Sequence, residues 1–318
     1  HVFFDGKYGL QQGFDSFDDA LCHRKGEPGW QPITSPLVSA KAARWLDERA
    51  ASGSDEPWLL FTHFFDPHVD YLDHQAANPA QSARSERDRY HSEIGFTDQH
   101  VGTLLDALAR SPFAADTVVL FFSDHGESFG EHRGIAKHSY GLYEEELRVP
   151  LFLRVPLVAP RRVADSVRSV DLAPTLYELF GLERDPEGEG VSLVPLLDGR
   201  AQPARSQLAE IRLKKGFHAN ALVSGRYKLY QDVSNEREQL FDLQDDAREQ
   251  RDLSTARPEL LEQLQAELAA ALTRAQQKAA RFDAGAPVEH TQAERDNLEA
   301  LGYGGEDEEP DEKKDGRK

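Results

Sequence analysis

The chain has no methionine and a single cysteine, Cys22, among 318 residues. One cysteine excludes an intrachain disulfide framework and any cysteine-rich zinc centre. No apolar run approaches the ~20 residues that a membrane-spanning helix needs, and no secretory leader is visible. Positive charge is also scarce: 37 Lys and Arg face 56 Asp and Glu, for a net charge of -19. A balance so acidic argues against nucleic-acid partners held by phosphate neutralisation. It leaves room for a small anionic substrate, because a bound metal ion reverses the local field. The absence of methionine, and an opening His-Val-Phe-Phe that reads as strand interior, give the expectation of a C-terminal piece of a longer protein. A membrane or signal segment upstream of residue 1 is compatible with that expectation.

What is present is α/β patterning. Thr117-Val118-Val119-Leu120-Phe121-Phe122 is an apolar, β-branched and aromatic run that reads as a strand buried on both faces of a largely parallel sheet. Trp58 to Phe65 reads as a second buried strand. Between them an apolar stripe (Ile94, Val101, Leu104, Leu105, Leu108) predicts a helix over about 90–109, which completes a strand-helix-strand order. Another helix is expected over about 36–49, a short strand over 147–153, and a helix over 172–180 with Asp171 as its N-cap and Gly181 closing it. Beyond about residue 205 the pattern becomes a hairpin over 220–230, a third antiparallel strand over 239–243 and an Ala/Leu/Glu/Gln-rich helix over 258–281. Residues 306–318 form a charged, proline-containing tail of the composition expected of disorder.

The chemistry-bearing side chains collect where strands end. Ligands in open α/β sheets sit beyond the carboxyl ends of strands. There Ser123-Asp124-His125-Gly126-Glu127 follows one apolar run and Asp66-Pro67-His68 the other. His63, His68, His125, His132 and His138, interspersed with Asp66, Asp124, Glu127 and Glu131, share these segments. Asp124 and His125 make a plausible half of a metal site. A hard divalent cation wants the carboxylate, and the imidazole shifts preference toward manganese, iron or zinc. The alternative for Asp124 is a cap on the next turn.

The ordered series Ser123-Asp124-His125-Gly126-Glu127, Gly130-Glu131-His132 and His138-Ser139-Tyr140-Gly141-Leu142-Tyr143 through Pro150 resembles the C-terminal half of the sulfatase catalytic domain, in the alkaline-phosphatase-like superfamily. Asp66-Pro67-His68, Val170 to Leu176, Gly199-Arg200, Gly225 to Leu229, Glu238 to Leu243 and Leu298 to Tyr303 extend the resemblance in collinear order. It implies a three-layer α/β/α sandwich lacking its N-terminal strand region, with a small antiparallel C-terminal sheet and helix. It also implies a catalytic core over 1–205, a C-terminal subdomain over 206–282 and an extension over 283–318.

By the same resemblance, Asp124 and His125 would bind one divalent ion, calcium or manganese. His68 and His138 would be catalytic and substrate-binding, with Lys137 as the alternative to His138. The implied activity is metal-dependent hydrolysis of sulfate esters outside the cytoplasm, with a small sulfate- or phosphate-ester as the partner. Alternatives within the superfamily are a phosphodiesterase, a phosphonate monoester hydrolase, and a phosphoglycerol or phosphoethanolamine transferase. A non-catalytic metal-binding protein with the same fold is a further one. The sulfatase nucleophile is a formylglycine made in a Cys/Ser-x-Pro-x-Arg context, and Cys22, followed by His-Arg-Lys-Gly, does not fit it. The nucleophile is therefore expected upstream, and this piece alone is expected to be inactive.

Overall fold

The computed structural model describes residues 6–21, 33–68, 71–74, 85–132, 136–138, 140–213, 216–282 and 292. Cys22, the segment 298–303 and the tail 306–318 lie outside them. The chain divides into two compact units, residues 1–117 with 288–304, and residues 118–287 with 305–318.

The first unit is built on two helices. Helix α1 (Ser35–Ser52) starts with Pro36 in its first turn, where the missing N–H costs nothing, and ends at Gly53 in the left-handed region (φ 63°). Helix α2 (Glu86–Arg110) begins with a reciprocal capping box between Ser85 and Asp88. The contact between them is partly polar: Ser39 Oγ donates to the His100 carbonyl (2.7 Å), and the Ser35 and Thr97 hydroxyls lie 3.3 Å apart. Trp58 joins Trp45 and Phe113 edge to face, with ring centroids 5.3 and 5.5 Å apart. The segment Trp58 to Phe65, expected as a buried strand, forms no strand ladder among the described residues, and Leu59 and Phe61 are exposed. An apolar run supplies strand propensity but not a hydrogen-bonding neighbour.

In the second unit, strand β1 (Val119–Phe122) pairs antiparallel with β4 (Leu151–Arg154), in the register Val119↔Arg154 to Phe122↔Leu151. The expected doubly buried parallel strand is thus replaced, among the described residues, by a two-stranded antiparallel ribbon. Phe121, Phe122 and Phe152 are exposed on it. Between these strands lie the short β2 (Ser128–Phe129) and β3 (Ala136–Lys137), paired antiparallel, and one helical turn, α3 (Glu144–Leu147). Helices α4 (Leu172–Phe180) and α5 (Val194–Leu197) follow.

Gly181 closes α4 in the left-handed region, as expected. Asp171 precedes α4, but its carboxylate does not cap the helix. It instead accepts from Arg205, Arg168 and the Val191 N–H.

A four-stranded antiparallel sheet ends the unit: β5 (Gln207–Arg212), β6 (His218–Ser224), β7 (Tyr227–Asp232) and β8 (Arg237–Asp242), in that spatial order. The tight β6–β7 turn passes through Gly225 at φ 60°. Period-two alternation sends two sets of side chains to opposite faces. Leu222, Leu229 and Leu240 meet Leu264, Leu268 and Ala271 of helix α6 (Pro258–Ala279). Ala219, Ala221, Tyr230 and Phe241 meet Leu142 and Tyr143 on the other face. Each fully buried leucine contributes about 1.5–3 kcal/mol. The sheet is therefore sandwiched between α6 and the segment that leads into α3.

Candidate active site

The strand end of β1 delivers Asp124 and His125. Asp124 is largely exposed, and its Oδ1 accepts the His125 backbone N–H (3.0 Å). His125 Nδ1 lies 2.8 Å from the Gly126 carbonyl. A carbonyl only accepts, so the proton sits on Nδ1 and the lone pair on Nε2. That Nε2 stands 3.8 Å from Asp124 Oδ2. The distance is long for a hydrogen bond but suits two ligands of one divalent ion, each bound at roughly 2.1 Å.

His138 enters from the β3 side. It is buried, its ring centroid lies 4.2 Å from that of His125, and its Nδ1 is 3.3 Å from Glu127 Oε2, also buried. Lys137 points elsewhere: it occupies a left-handed conformation (φ 69°) in β3 and its side chain is exposed. Asp124, His125, Glu127 and His138 thus come together in one unit. Glu127 was visible in the sequence as part of the strand-end motif, but its pairing with His138 was not.

His68 belongs to the first unit. Its ring stacks on Phe65 at 4.6 Å and its N–H donates to the Phe65 carbonyl (2.9 Å). Its companion Asp66 is buried and serves the fold. One carboxylate oxygen accepts the Thr34 N–H (2.7 Å) and hydroxyl (2.5 Å), and the other the Ser35 N–H (2.8 Å), so that Asp66 caps α1 from a distance. Glu93 on α2 is likewise buried and accepts from the Leu72 N–H (2.8 Å) and His74 (2.7 Å). Burial pushes its carboxyl up, and these bonds only partly offset that.

A second polar cluster lies behind the strand end. His132 Nδ1 is 2.6 Å from Glu145 Oε1 and its Nε2 is 3.1 Å from the Glu249 carbonyl. Both of these are acceptors, while the Gln250 side-chain NH₂, a donor only, also stands 3.3 Å from Nε2. Burial lowers the His132 pKa, but the Glu145 hydrogen bond and charge outweigh it, and the net direction is upward. The donor atoms of His132, Glu145 and Glu249 lie within 4.8 Å of one another, a grouping that could hold a metal ion. Here a cation is already supplied: the fully buried Lys228 ammonium pairs with Glu249 (2.8 Å) and Glu144 (3.1 Å). Sequence reading missed Lys228, which sits in an alternating hairpin pattern where a lysine signals the wet face. The β7 strand is covered on both faces, so no wet face exists there.

The family model for sulfatases matches residues 1–182, and a model for the C-terminal region of N-sulphoglucosamine sulphohydrolase matches residues 130–278. The chain is 35% identical over 172 residues to a choline-sulfatase of Rhizobium meliloti (strain 1021), covering 52% of this chain and 32% of that protein. It is 30% identical over 236 residues to arylsulfatase K of Mus musculus, covering 68% of this chain and 42% of that protein. The chain therefore spans less than half the length of these curated relatives. Among solved structures, Ps i-CgsB in complex with k-i-k-neocarrahexaose superposes with a TM-score of 0.65 at 19% identity, over 84% of this chain and 59% of that one. The likeness shows the alkaline-phosphatase-like α/β fold expected from the sequence. The match of the family model over residues 1–182 establishes that the chain belongs to the sulfatase family.

Proposed function

We propose that the protein carrying this chain hydrolyses sulfate esters, with Asp124 and His125 as two ligands of one divalent cation and His138 and His68 as the groups that meet the ester. The observation that carries this reading is the convergence of Asp124, His125 and a Glu127-braced His138 at one strand end of a sulfatase-family chain. The donor set fits a metal: a carboxylate oxygen and an imidazole nitrogen lie 3.8 Å apart, and the proton on Nδ1 is fixed by a backbone carbonyl. A carboxylate with one imidazole suits manganese as well as calcium. When bound, the ion would stabilise negative charge on the peripheral oxygens of the transferring group.

The protein side chains do the remaining work. Glu127 accepts from His138 Nδ1 and holds the ring in one orientation. A cationic imidazole can hydrogen-bond a sulfate oxygen or donate a proton to the departing alkoxide. His68, held flat against Phe65, is assigned the same kind of contact. Lys137, turned outward, is the weaker candidate for this contact. The reading assigns no nucleophile within this chain, which fits an inactive piece whose formylglycine lies upstream. It keeps the catalytic core at 1–205, the C-terminal subdomain at 206–282 and an extracytoplasmic location. Among the described residues no helix is long and apolar enough to cross a membrane.

Asp124→Ala is expected to lower manganese affinity by at least about tenfold, as loss of one of few anionic ligands should. Isothermal titration of the purified chain with Mn²⁺ reads this directly, and unchanged affinity would remove Asp124 from the site. His138→Ala should leave Mn²⁺ affinity intact and lower kcat on 4-nitrophenyl sulfate about 10²-fold or more in the protein that carries the nucleophile. Normal turnover would transfer the role to Lys137. A second reading is phosphoryl-group chemistry, because a divalent ion at this site would stabilise the peripheral oxygens of a phosphoryl group as well as those of a sulfuryl group. A higher kcat/KM on a phosphonate or phosphate monoester than on the matched sulfate would select it.

A further inference from the structure

We infer that Lys228, Glu249 and Gln239, all in or beside the C-terminal sheet, are positioning residues for the Asp124–His125 strand end and act through the turn Tyr143–Glu146. The inference rests on reading that strand end as the reaction site. The grip on the turn is unusually polar for a buried interface. Lys228 is fully buried on β7, and its ammonium bridges Glu249 (2.8 Å) and Glu144 (3.1 Å). A carboxylate oxygen of Glu249 accepts the Glu144 backbone N–H at 2.6 Å. The Tyr143 hydroxyl donates to Gln239 Oε1 (2.7 Å), and its ring lies between His132 (3.8 Å, 3° from parallel) and Tyr230 (4.6 Å, 22°).

A buried ion pair adds little stability over well-packed apolar side chains of the same size. These charges do something packing cannot: they fix the backbone of residues 143–146 at defined polar atoms. That backbone is in direct contact with the site. The Gly126 N–H donates to the Glu146 carbonyl (2.8 Å), and a Cβ placed on Gly126 would meet the Glu145 carbonyl oxygen at 2.1 Å. His125 is the next residue, and its Nδ1 is held by the carbonyl of that same Gly126. The path from the sheet to the imidazole is therefore the Lys228–Glu249 ion pair, the Glu144 N–H held by Glu249, the turn backbone from Glu144 to Glu146, and the Gly126 N–H bonded to the Glu146 carbonyl, next to His125. His132 ties a second point of the turn, Glu145, to the Glu249 carbonyl.

The test is the double variant Lys228→Met with Glu249→Leu, which removes both charges together and keeps the volume. Amide hydrogen exchange at Gly126 is the readout, with Leu222 and Leu229 in the sheet as internal references. Exchange at Gly126 should rise about tenfold or more while the two references keep their protection. In the protein that carries the nucleophile, kcat on 4-nitrophenyl sulfate should fall about tenfold, with KM within about twofold. Tyr143→Phe, which deletes only the hydroxyl bond to Gln239, should raise Gly126 exchange in the same direction and decides the matter if the double variant does not fold. Unchanged exchange at Gly126 in a folded variant overturns the inference, as does faster exchange with an unaltered rate. Exchange needs no turnover, so absence of sulfate-ester hydrolysis would count against the proposed activity and leave the coupling to be judged by Gly126.

Discussion

Asp171→Asn should destabilise the second unit by about 3 kcal/mol, the size expected when one partner of a buried charged network is removed and the others are left behind. Asp171 is fully buried and accepts from both terminal nitrogens of Arg205 (3.0 and 2.9 Å), from Arg168 Nη2 (3.2 Å) and from the Arg168 and Val191 N–H groups (3.0 and 2.9 Å). Asparagine keeps the shape but presents an NH₂ to donors and leaves two guanidinium groups without a counter-charge. Burial raises the Asp171 pKa, but the Arg205 fork and the backbone N–H groups outweigh it, and the carboxyl lies below its ordinary 3.8. A depressed acid stabilises the fold fully above its unfolded pKa, and that contribution is lost as pH falls through the folded value. The urea midpoint of the native chain should therefore drop from about pH 4 downward, and the Asn variant should show a flatter acid limb. A loss under about 1 kcal/mol near neutral pH would show that the network is dispensable.

Gly126→Ala carries the second large effect, and it falls on the site itself. The added methyl would stand 2.1 Å from the Glu145 carbonyl oxygen and 3.1 Å from its carbon, both backbone atoms in a turn tied down on its far side. Rotamer changes cannot relieve such a clash, so either the Gly126–Glu146 hydrogen bond breaks or the turn shifts. Overpacking of this kind costs about 2–3 kcal/mol. Denaturation should show that loss, together with weaker Mn²⁺ binding. Gly102→Ala in α2 is the control: its Cβ meets nothing within 4 Å, and the helix should gain up to about 1 kcal/mol from the exchange. Wild-type stability for Gly126→Ala would mean that the turn is not held as the hydrogen bonds indicate.

Helices were the legible part of this chain. The apolar stripe of α2 and the Pro36 and Gly181 punctuation marked elements that the structure contains, and the β6–β7 hairpin followed from alternation around Gly225. Strand environment was not legible. Val119 to Phe122 has the composition of a central parallel strand, yet its observed neighbour is β4, running antiparallel. Composition reports that a segment is apolar, and the partner strand is set by chain segments far away in sequence. The same limit applied to the polar residues. Asp171 was correctly placed just before α4, but its partner Arg205 lies 34 residues on, with no local pattern to announce it. Of the strand-end cluster, Asp124, His125 and His138 could be picked from residue type and order. The Glu127–His138 contact and the Lys228–Glu249 pair required the fold.

The distant capping of α1 by Asp66 bears on how an alanine scan of this protein would read. Asp66 and His68 stand two residues apart in one short motif, and loss of either would score as loss of activity. For Asp66 the cause would be an unravelled first turn at Thr34 and Ser35, so its defect would deepen with temperature and track the melting of the first unit. For His68 the assigned role predicts a defect that temperature leaves unchanged. On the role proposed for His68, a motif that scores uniformly in a mutational screen would thus contain one residue acting on folding and another acting on the ester.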